Sequence, residues 1–149
     1  MHNPIKLIGI AFRPKAKAPM QTKTQSMISK VAGVEHDARG KPGKRQVTIL
    51  SQEQWQRACD ELSTPLPWTI RRANLLITGF EFDANMVGKQ IRIGQLILVV
   101  TGETDPCHKM DSQFQGLTKA LTPDWRGGVC CTVIADGRVT VGDVVQISN

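Results

Sequence analysis

From Asn74 onward this 149-residue chain is cut into short β-branched and aliphatic runs by Gly, Asp and Asn, which limits the folds open to it. Leu75–Phe82, Lys89–Ile93, Gln95–Thr101, Val129–Ala135, Arg138–Val141 and Val144–Ile147 each read as a strand. Gly94-Gln95 and Asp136-Gly137 read as tight hairpin connections. Strands this short and this closely spaced hide their apolar faces most readily by closing on themselves. The expected class is mostly β, a closed or nearly closed β-barrel with one or two short helices.

The first half fits that frame. Ile5–Phe12 is an apolar run suited to a buried strand, whereas Arg13–Lys23, rich in Lys and Pro, reads as a loop or irregular edge. Met27–Glu35 reads as strand, Ala38–Arg45 as a basic loop punctuated by Gly and Pro, and Gln46–Leu50 as a short strand. Ser51 begins the clearest helix, with Gln54 placed to complete a capping box. Trp55, Cys59 and Leu62 share one face of it, so Cys59 is a core residue, and Pro65 and Pro67 end it. Phe114–Leu121 predicts a second, shorter helix stopped before Pro123.

The length suits one domain, residues 1–149. A chain of this size buries roughly 68–70 % of its unfolded surface, so its core needs no disulfide or structural metal. No apolar run approaches the roughly 18 residues of a membrane span. Pro4 and Lys6 interrupt any secretory signal, and four irregularly spaced cysteines do not describe a disulfide framework. A reducing, cytoplasmic setting is expected.

Charge is uneven. Residues 1–45 hold ten Lys/Arg against Glu35 and Asp37, while the remainder is slightly acidic. Such an excess is either a solvated basic face or an invitation to an anionic partner: nucleic acid, a membrane surface or a phosphorylated small molecule. Aromatic residues amount to only 5 % and Tyr is absent, which argues against single-stranded nucleic acid.

Thr101-Gly-Glu-Thr-Asp-Pro-Cys-His-Lys-Met110 follows a strongly apolar strand, and function often sits on loops held by such elements. Pro106 fixes its own φ and restricts Asp105, presenting Cys107 on a stiff stem. His108 and Lys109 favour its thiolate, which is both a nucleophile and a soft metal ligand. Three readings stay open: a cysteine without a task, a nucleophile with His36 or His108 as base, and a metal ligand. Zinc or an iron–sulfur cluster has little support, because no Cys-x-x-Cys pair exists and Cys130 and Cys131 point to opposite faces of a strand.

Six segments, with a closing seventh, resemble the MOSC domain in order. They are Arg45-Gln-Val-Thr-Ile-Leu50, Arg72-Ala-Asn-Leu-Leu-Ile-Thr-Gly79, Gly88-x-x-Ile-Arg-Ile-Gly94, Thr101-Gly-x-Thr-x-Pro-Cys107, Gly116-Leu-x-x-Ala-Leu121, Arg126-Gly-Gly-Val-Cys130 and Val141-Gly-Asp143. The resemblance spans about residues 31–147 and implies a small standalone member with the family's pyruvate-kinase-like β-barrel. The family often shows Gly-Val-x-Gly-Asp-x-His where Gly33-Val-Glu-His-Asp-Ala-Arg39 stands, so no role passes to His36 or Asp37.

The resemblance implies a molybdenum cofactor, molybdopterin, with Cys107 as metal ligand and catalytic residue. Arg72 and Asn74 match the family's Arg-x-Asn element. Arg72, Arg126, Lys44 and Arg45 are candidates to grip the cofactor's phosphate, since cationic side chains pair with phosphate oxygens. Asn74 offers donor and acceptor atoms to the pterin's amide-like edge. Gly127-Gly128 would admit backbone close to a ligand, though a plain turn explains them equally well. Standalone members resemble reductases of N-hydroxylated compounds. With no dinucleotide fingerprint and no ferredoxin-like cysteines, electrons would come from a separate redox partner. The alternative is a carrier that delivers cofactor, or sulfur as a Cys107 persulfide, to a recipient protein. A basic barrel binding nucleic acid ranks last.

Overall fold

The computed structural model describes residues 4–149. Among them the elements run β1 (Ile5–Phe12), β2 (Gln21–Lys23), β3 (Gln25–Ser29), β4 (Gly33–Val34), β5 (Val47–Ser51), α1 (Gln52–Glu61), β6 (Leu75–Thr78), β7 (Gln90–Ile93), β8 (Leu96–Glu103), α2 (Leu117–Leu121), β9 (Val129–Ala135), β10 (Gly137–Thr140) and β11 (Val144–Ser148). Short 3-10 turns fill several of the gaps.

Seven strands close into a barrel in the order β1-β11-β7-β8-β9-β5-β6. All neighbours are antiparallel except β5 and β6, which run parallel with α1 between them. Closure falls between β1 and β11, where Ile5 pairs with Val145. Strand β2 extends the sheet from β1, and β10, β3 and β4 form a separate three-stranded sheet. That small sheet contributes Ile28, Val34 and Val139 to the barrel core.

Two apolar clusters follow from strand alternation. Ile49, Leu75 and Ile77 face the barrel interior with Leu7, Ile10, Ile91 and Leu98. Leu50 and Leu76, one position along, face outward and pack beneath Trp55, Ala58 and Cys59 of α1 and Leu117 and Leu121 of α2. A bulge between Leu7 and Gly9 lets both Leu7 and Ile10 point inward while Ile8 joins the outer cluster.

The expected mostly-β, closed barrel with two helices is therefore what forms. The Gly94-Gln95 hairpin is present, with Ile93 opposite Leu96. Ser51 caps α1, its hydroxyl accepting from the Gln54 N–H at 3.4 Å. The reciprocal half of the capping box is not made. The Gln54 side chain instead spans Phe82, accepting from its N–H and donating to its carbonyl, and donates to the Asp124 carbonyl.

Other expectations need correction. Met27–Glu35 is not one strand; β3 and β4 are antiparallel, with Ser29 opposite Gly33. Gln21–Lys23, read as loop, pairs with β1. Leu75–Phe82 ends as strand at Thr78, since Gly79 takes φ 93°. The second helix begins at Leu117 because Gly116 is left-handed, φ 90°. Asp136-Gly137 is not a hairpin: β10 pairs with β3 rather than β9. There the Asp136 carboxylate accepts from Lys30 N–H at 2.7 Å, and Gly137 lies so close to Leu96 that a Cβ would meet its nitrogen at 2.3 Å.

Candidate cofactor site

At the rim where β1 and β8 end and β5 and β6 begin, the surface opens into two connected lobes. The larger has a volume of about 510 Å³ and the smaller about 250 Å³. Arg39, Arg45, Thr48, Arg72 and Thr104 line both. Cationic side chains dominate: Arg13 and Lys41 belong to the larger lobe and Arg71 and Lys109 to the smaller, against one Asp in each, Asp37 and Asp105.

Cys107 opens on the smaller lobe. It is exposed, whereas Cys59, Cys130 and Cys131 are buried, and all four are free thiols. Its extended backbone precedes a 3-10 turn over His108–Ser112, and its carbonyl accepts from the Thr118 hydroxyl at 2.7 Å. Asp111 of that turn accepts from the Thr118 N–H at 2.9 Å. The bond from Thr118 N–H holds the Asp111 carboxyl below its ordinary pKa. Thr118 thus fixes the segment carrying the thiol from both sides, a task its place in the sequence did not advertise. Neither His36 nor His108 lines either lobe. His36 is exposed beside Glu35 and the Phe12 ring.

Arg71, which sequence reasoning passed over, is 7 % exposed and lies against the Cys107 segment. It donates to Thr104 O at 2.7 Å, Gly127 O at 3.2 Å and Met110 Sδ at 3.7 Å. Burial pushes its pKa down, while Cys107, Cys130 and Asp105 oppose that shift. An arginine so placed remains charged.

Arg72 follows in the left-handed conformation, φ 69°, ending the turn over Trp68–Arg71. A non-glycine residue held there stores backbone strain, a feature concentrated at functional sites. It lines both lobes with Arg45. Asn74 lines the larger lobe but is mostly committed to the fold. Its side-chain oxygen accepts from Thr48 N–H at 3.0 Å and Thr48 hydroxyl at 3.3 Å, and its amide donates to Ala11 O at 3.2 Å.

Two candidates stand apart. Arg126 lines neither lobe; it donates to Ala120 O at 3.0 Å and pairs with Glu61 at 2.7 Å, tying α2 to α1. Its isolation has a physical cause: Pro123, with the left-handed Asp124 and Trp125 after it, turns the chain so that this guanidinium meets the helices. Lys44 lines neither lobe, and its carbonyl accepts from the Thr101 hydroxyl at 2.5 Å, which pins the basic loop to β8. Gly127-Gly128 serves packing. A Cβ on Gly127 would lie 2.4 Å from Thr104 O, and one on Gly128 2.3 Å from Ile49 O.

Arg13 was also missed, while Asp37 and Cys130 had been weighed and set aside. Asp37 accepts from Arg13 N–H at 2.9 Å. Cys130, opposite in sense to the core residue Cys131, turns its sulfur to the larger lobe, 3.2 Å from the Thr104 hydroxyl. Burial, and next the charge of Cys130, push the Cys131 thiol far up, so it is inert. Only the alternation of β9 hinted that one of this pair would face the site.

The fold has solved counterparts. The chain superposes on the YuaD protein from Bacillus subtilis with a TM-score of 0.82 at 18 % identity, covering 99 % of this chain and 97 % of that one. It superposes on YiiM from Geobacillus stearothermophilus with a TM-score of 0.79 at 15 % identity, covering 98 % and 76 %. For YiiM from Escherichia coli the TM-score is 0.72 at 16 % identity, covering 100 % and 70 %. These likenesses establish the fold. No curated protein matches the chain. A family model, the MOSC domain, matches residues 28–146. That match takes in the barrel strands from β5 onward, the Arg71–Asn74 segment and Cys107, and the chain belongs to the MOSC domain family.

Proposed function

We propose that this chain, as one domain over residues 1–149, binds a molybdenum cofactor through the Cys107 thiolate and acts with it as a reductase of N-hydroxylated compounds. The observation carrying this reading is an exposed thiol at the edge of a cavity lined by seven cationic side chains. The donor set suits the group. Among the described residues no cluster of three or more His, Cys, Asp or Glu could hold an ion unaided. A metal that arrives already chelated by a dithiolene needs only one further soft ligand, and an anionic tail needs arginines.

When bound, the cofactor supplies two-electron, oxygen-accepting chemistry. The residues of the chain do the rest. Arg71 balances the charge of the Cys107 thiolate from beneath. Arg72 and Arg45 face both lobes and grip the phosphate with paired hydrogen bonds. One Asn74 amide N–H, not used by Ala11, is left for the pterin edge. Electrons come from a separate acidic redox protein docking on the basic face of residues 1–45. No helix among the described residues is long and apolar enough to cross a membrane. Four free thiols suit the cytoplasm.

Exposure of Cys107 also suits a persulfide, so a sulfur or cofactor carrier is the second reading. The test is metal and pterin analysis of wild type and Cys107→Ser made in a cofactor-producing host. Wild type is expected to carry molybdenum and the variant, equally folded, to lose it; equal metal in both removes Cys107 from the site. Loaded protein given an N-hydroxylated purine and a chemical electron donor then separates the readings. Repeated turnover marks the reductase, and a single stoichiometric transfer marks the carrier.

A further inference from the structure

The side chain that the described fold leaves least explained is Arg13. It is 5 % exposed, yet it sits immediately after β1 on the wall of the larger lobe. Among the described residues no hydrogen bond or ion pair engages its guanidinium; only its backbone is used, its N–H donating to Asp37 and its carbonyl accepting from Ala38 N–H. None of its guanidinium nitrogens is sealed away from the cavity without a partner, which leaves the group facing the open lobe. Burying a cation without a partner is costly, and proteins normally offset it with an anion or hydrogen bonds.

The neighbours raise that cost. Burial pushes the Arg13 pKa down, and the charges of Arg72 and Arg39 push it further, against the opposing pull of Asp37. Three guanidinium groups therefore converge on one space with a single carboxylate among them, and that carboxylate already accepts from the Arg13 backbone. In an ion-free state such a cluster repels itself. It becomes favourable when an anion of charge near −2 with several acceptor oxygens enters, as a phosphoryl group does. Carboxylates carry half the charge and fewer oxygens, so they satisfy the trio less well.

We propose that Arg13, Arg39 and Arg72 form a phosphomonoester site in the larger lobe, whose wall does not include Cys107. The site deepens the cofactor reading by naming which residues hold a phosphoryl group, and it stands on geometry that does not involve the metal. Two sources offer the same chemistry: the tail of the cofactor itself, or the phosphoryl group of a phosphorylated substrate such as a nucleoside monophosphate.

Titration calorimetry of the metal-free protein with inorganic phosphate tests the site. Wild type is expected to bind phosphate, and Arg13→Gln to bind it at least tenfold more weakly. Arg39→Gln, at an exposed position tolerant of change, is expected to weaken binding too, which covers the case in which Arg13→Gln fails to fold. Arg57→Gln, on the far face of α1, should bind as wild type does. Absence of phosphate binding, or equal affinity in folded wild type, Arg13→Gln and Arg39→Gln, overturns the proposal.

Cofactor-loaded protein then identifies the source. Loss of phosphate binding on loading assigns the site to the cofactor's tail. Retention, with a nucleoside 5′-monophosphate bound more tightly than its nucleoside, assigns it to a phosphorylated substrate. A Cys107→Ser protein that keeps its metal but shows the Arg13 effect would sink the metal assignment and leave this site standing.

Discussion

The Arg71 guanidinium donates to the Thr104 carbonyl at 2.7 Å, joining positions 33 residues apart. The same group holds the Gly127 carbonyl, so one buried side chain clamps the backbone on both sides of the Cys107 segment. A planar fork can serve two carbonyls at once, and an ammonium cannot reproduce it.

Arg71→Met should accordingly lose about 3 kcal/mol of stability, because two carbonyls inside the fold forfeit a charged donor. Arg71→Lys should recover only part of that loss. Urea denaturation of the three proteins measures both effects, and wild-type stability in Arg71→Met would show that the clamp is dispensable.

Arg72 and Arg126 should part company. Arg126→Ala frees Ala120 O and Glu61 and is expected to cost about 2 kcal/mol of stability while leaving cofactor affinity within about twofold. Arg72→Ala should change stability by less than about 1 kcal/mol but weaken cofactor binding at least tenfold, about 1.4 kcal/mol. Arg57, exposed and paired with Glu81, is the control, since such surface pairs contribute about 0–1 kcal/mol. Thermal unfolding beside cofactor retention on gel filtration checks the contrast.

Gly128 and Gly102 offer a second contrast, in stability alone. Gly128 has φ 95° and no room for a Cβ, whereas Gly102 in β8 has open space around it and no positive φ. Gly128→Ala should cost about 3 kcal/mol or prevent folding, and Gly102→Ala less than about 0.5 kcal/mol. Similar midpoints in guanidinium chloride for the two variants would contradict this assignment.

The carboxylate of Glu53 accepts from the Thr78 hydroxyl at 2.8 Å and from Gly79 N–H at 2.9 Å, joining α1 to the end of β6. Burial pushes its pKa up, but these bonds, with others from its own N–H and the Ser51 hydroxyl, outweigh burial and hold it below the ordinary value. The unfolded chain therefore takes up this proton more readily than the folded one. The stabilisation is whole above the unfolded glutamate value, about 4.3, and is lost as pH falls through the lower folded value. Glu53→Gln should be less stable than wild type by about 1 kcal/mol at pH 7, with the gap closing in acid below the ordinary glutamate range. Denaturation midpoints across that range decide it.

Much of the barrel could be read from local signals, because periodicity and turn chemistry are local. Ser51, Trp55 and Cys59 placed α1, and Gly94 placed the β7–β8 hairpin. Partner choice was not legible. Asp136-Gly137 carries a hairpin signature, yet β10 pairs with β3, more than a hundred positions away, because Asp136 is taken by Lys30 and Gly137 by its contact with Leu96. At the candidate site the exposed Cys107 and the cavity-facing Arg45, Arg72 and Asn74 were found through motif order. Arg71 and Arg13 were not, since each looks like an ordinary charge beside a turn until the tertiary fold buries it. Lys44 and Arg126 show the converse error: sequence neighbours of cavity residues whose side chains the backbone directs elsewhere.

Because β11 stitches β1 to β7, the seam of this cylinder is sewn by the strand that follows every other one in the described chain. Synthesis must deliver Val144–Ser148 before the ring can shut, and a protein clipped just ahead of Val144 would leave two raw margins seeking partners. Tags or fusions joined directly after Ser148 consequently load the stitch itself, so setting them behind a long flexible spacer should give the better yield of soluble material.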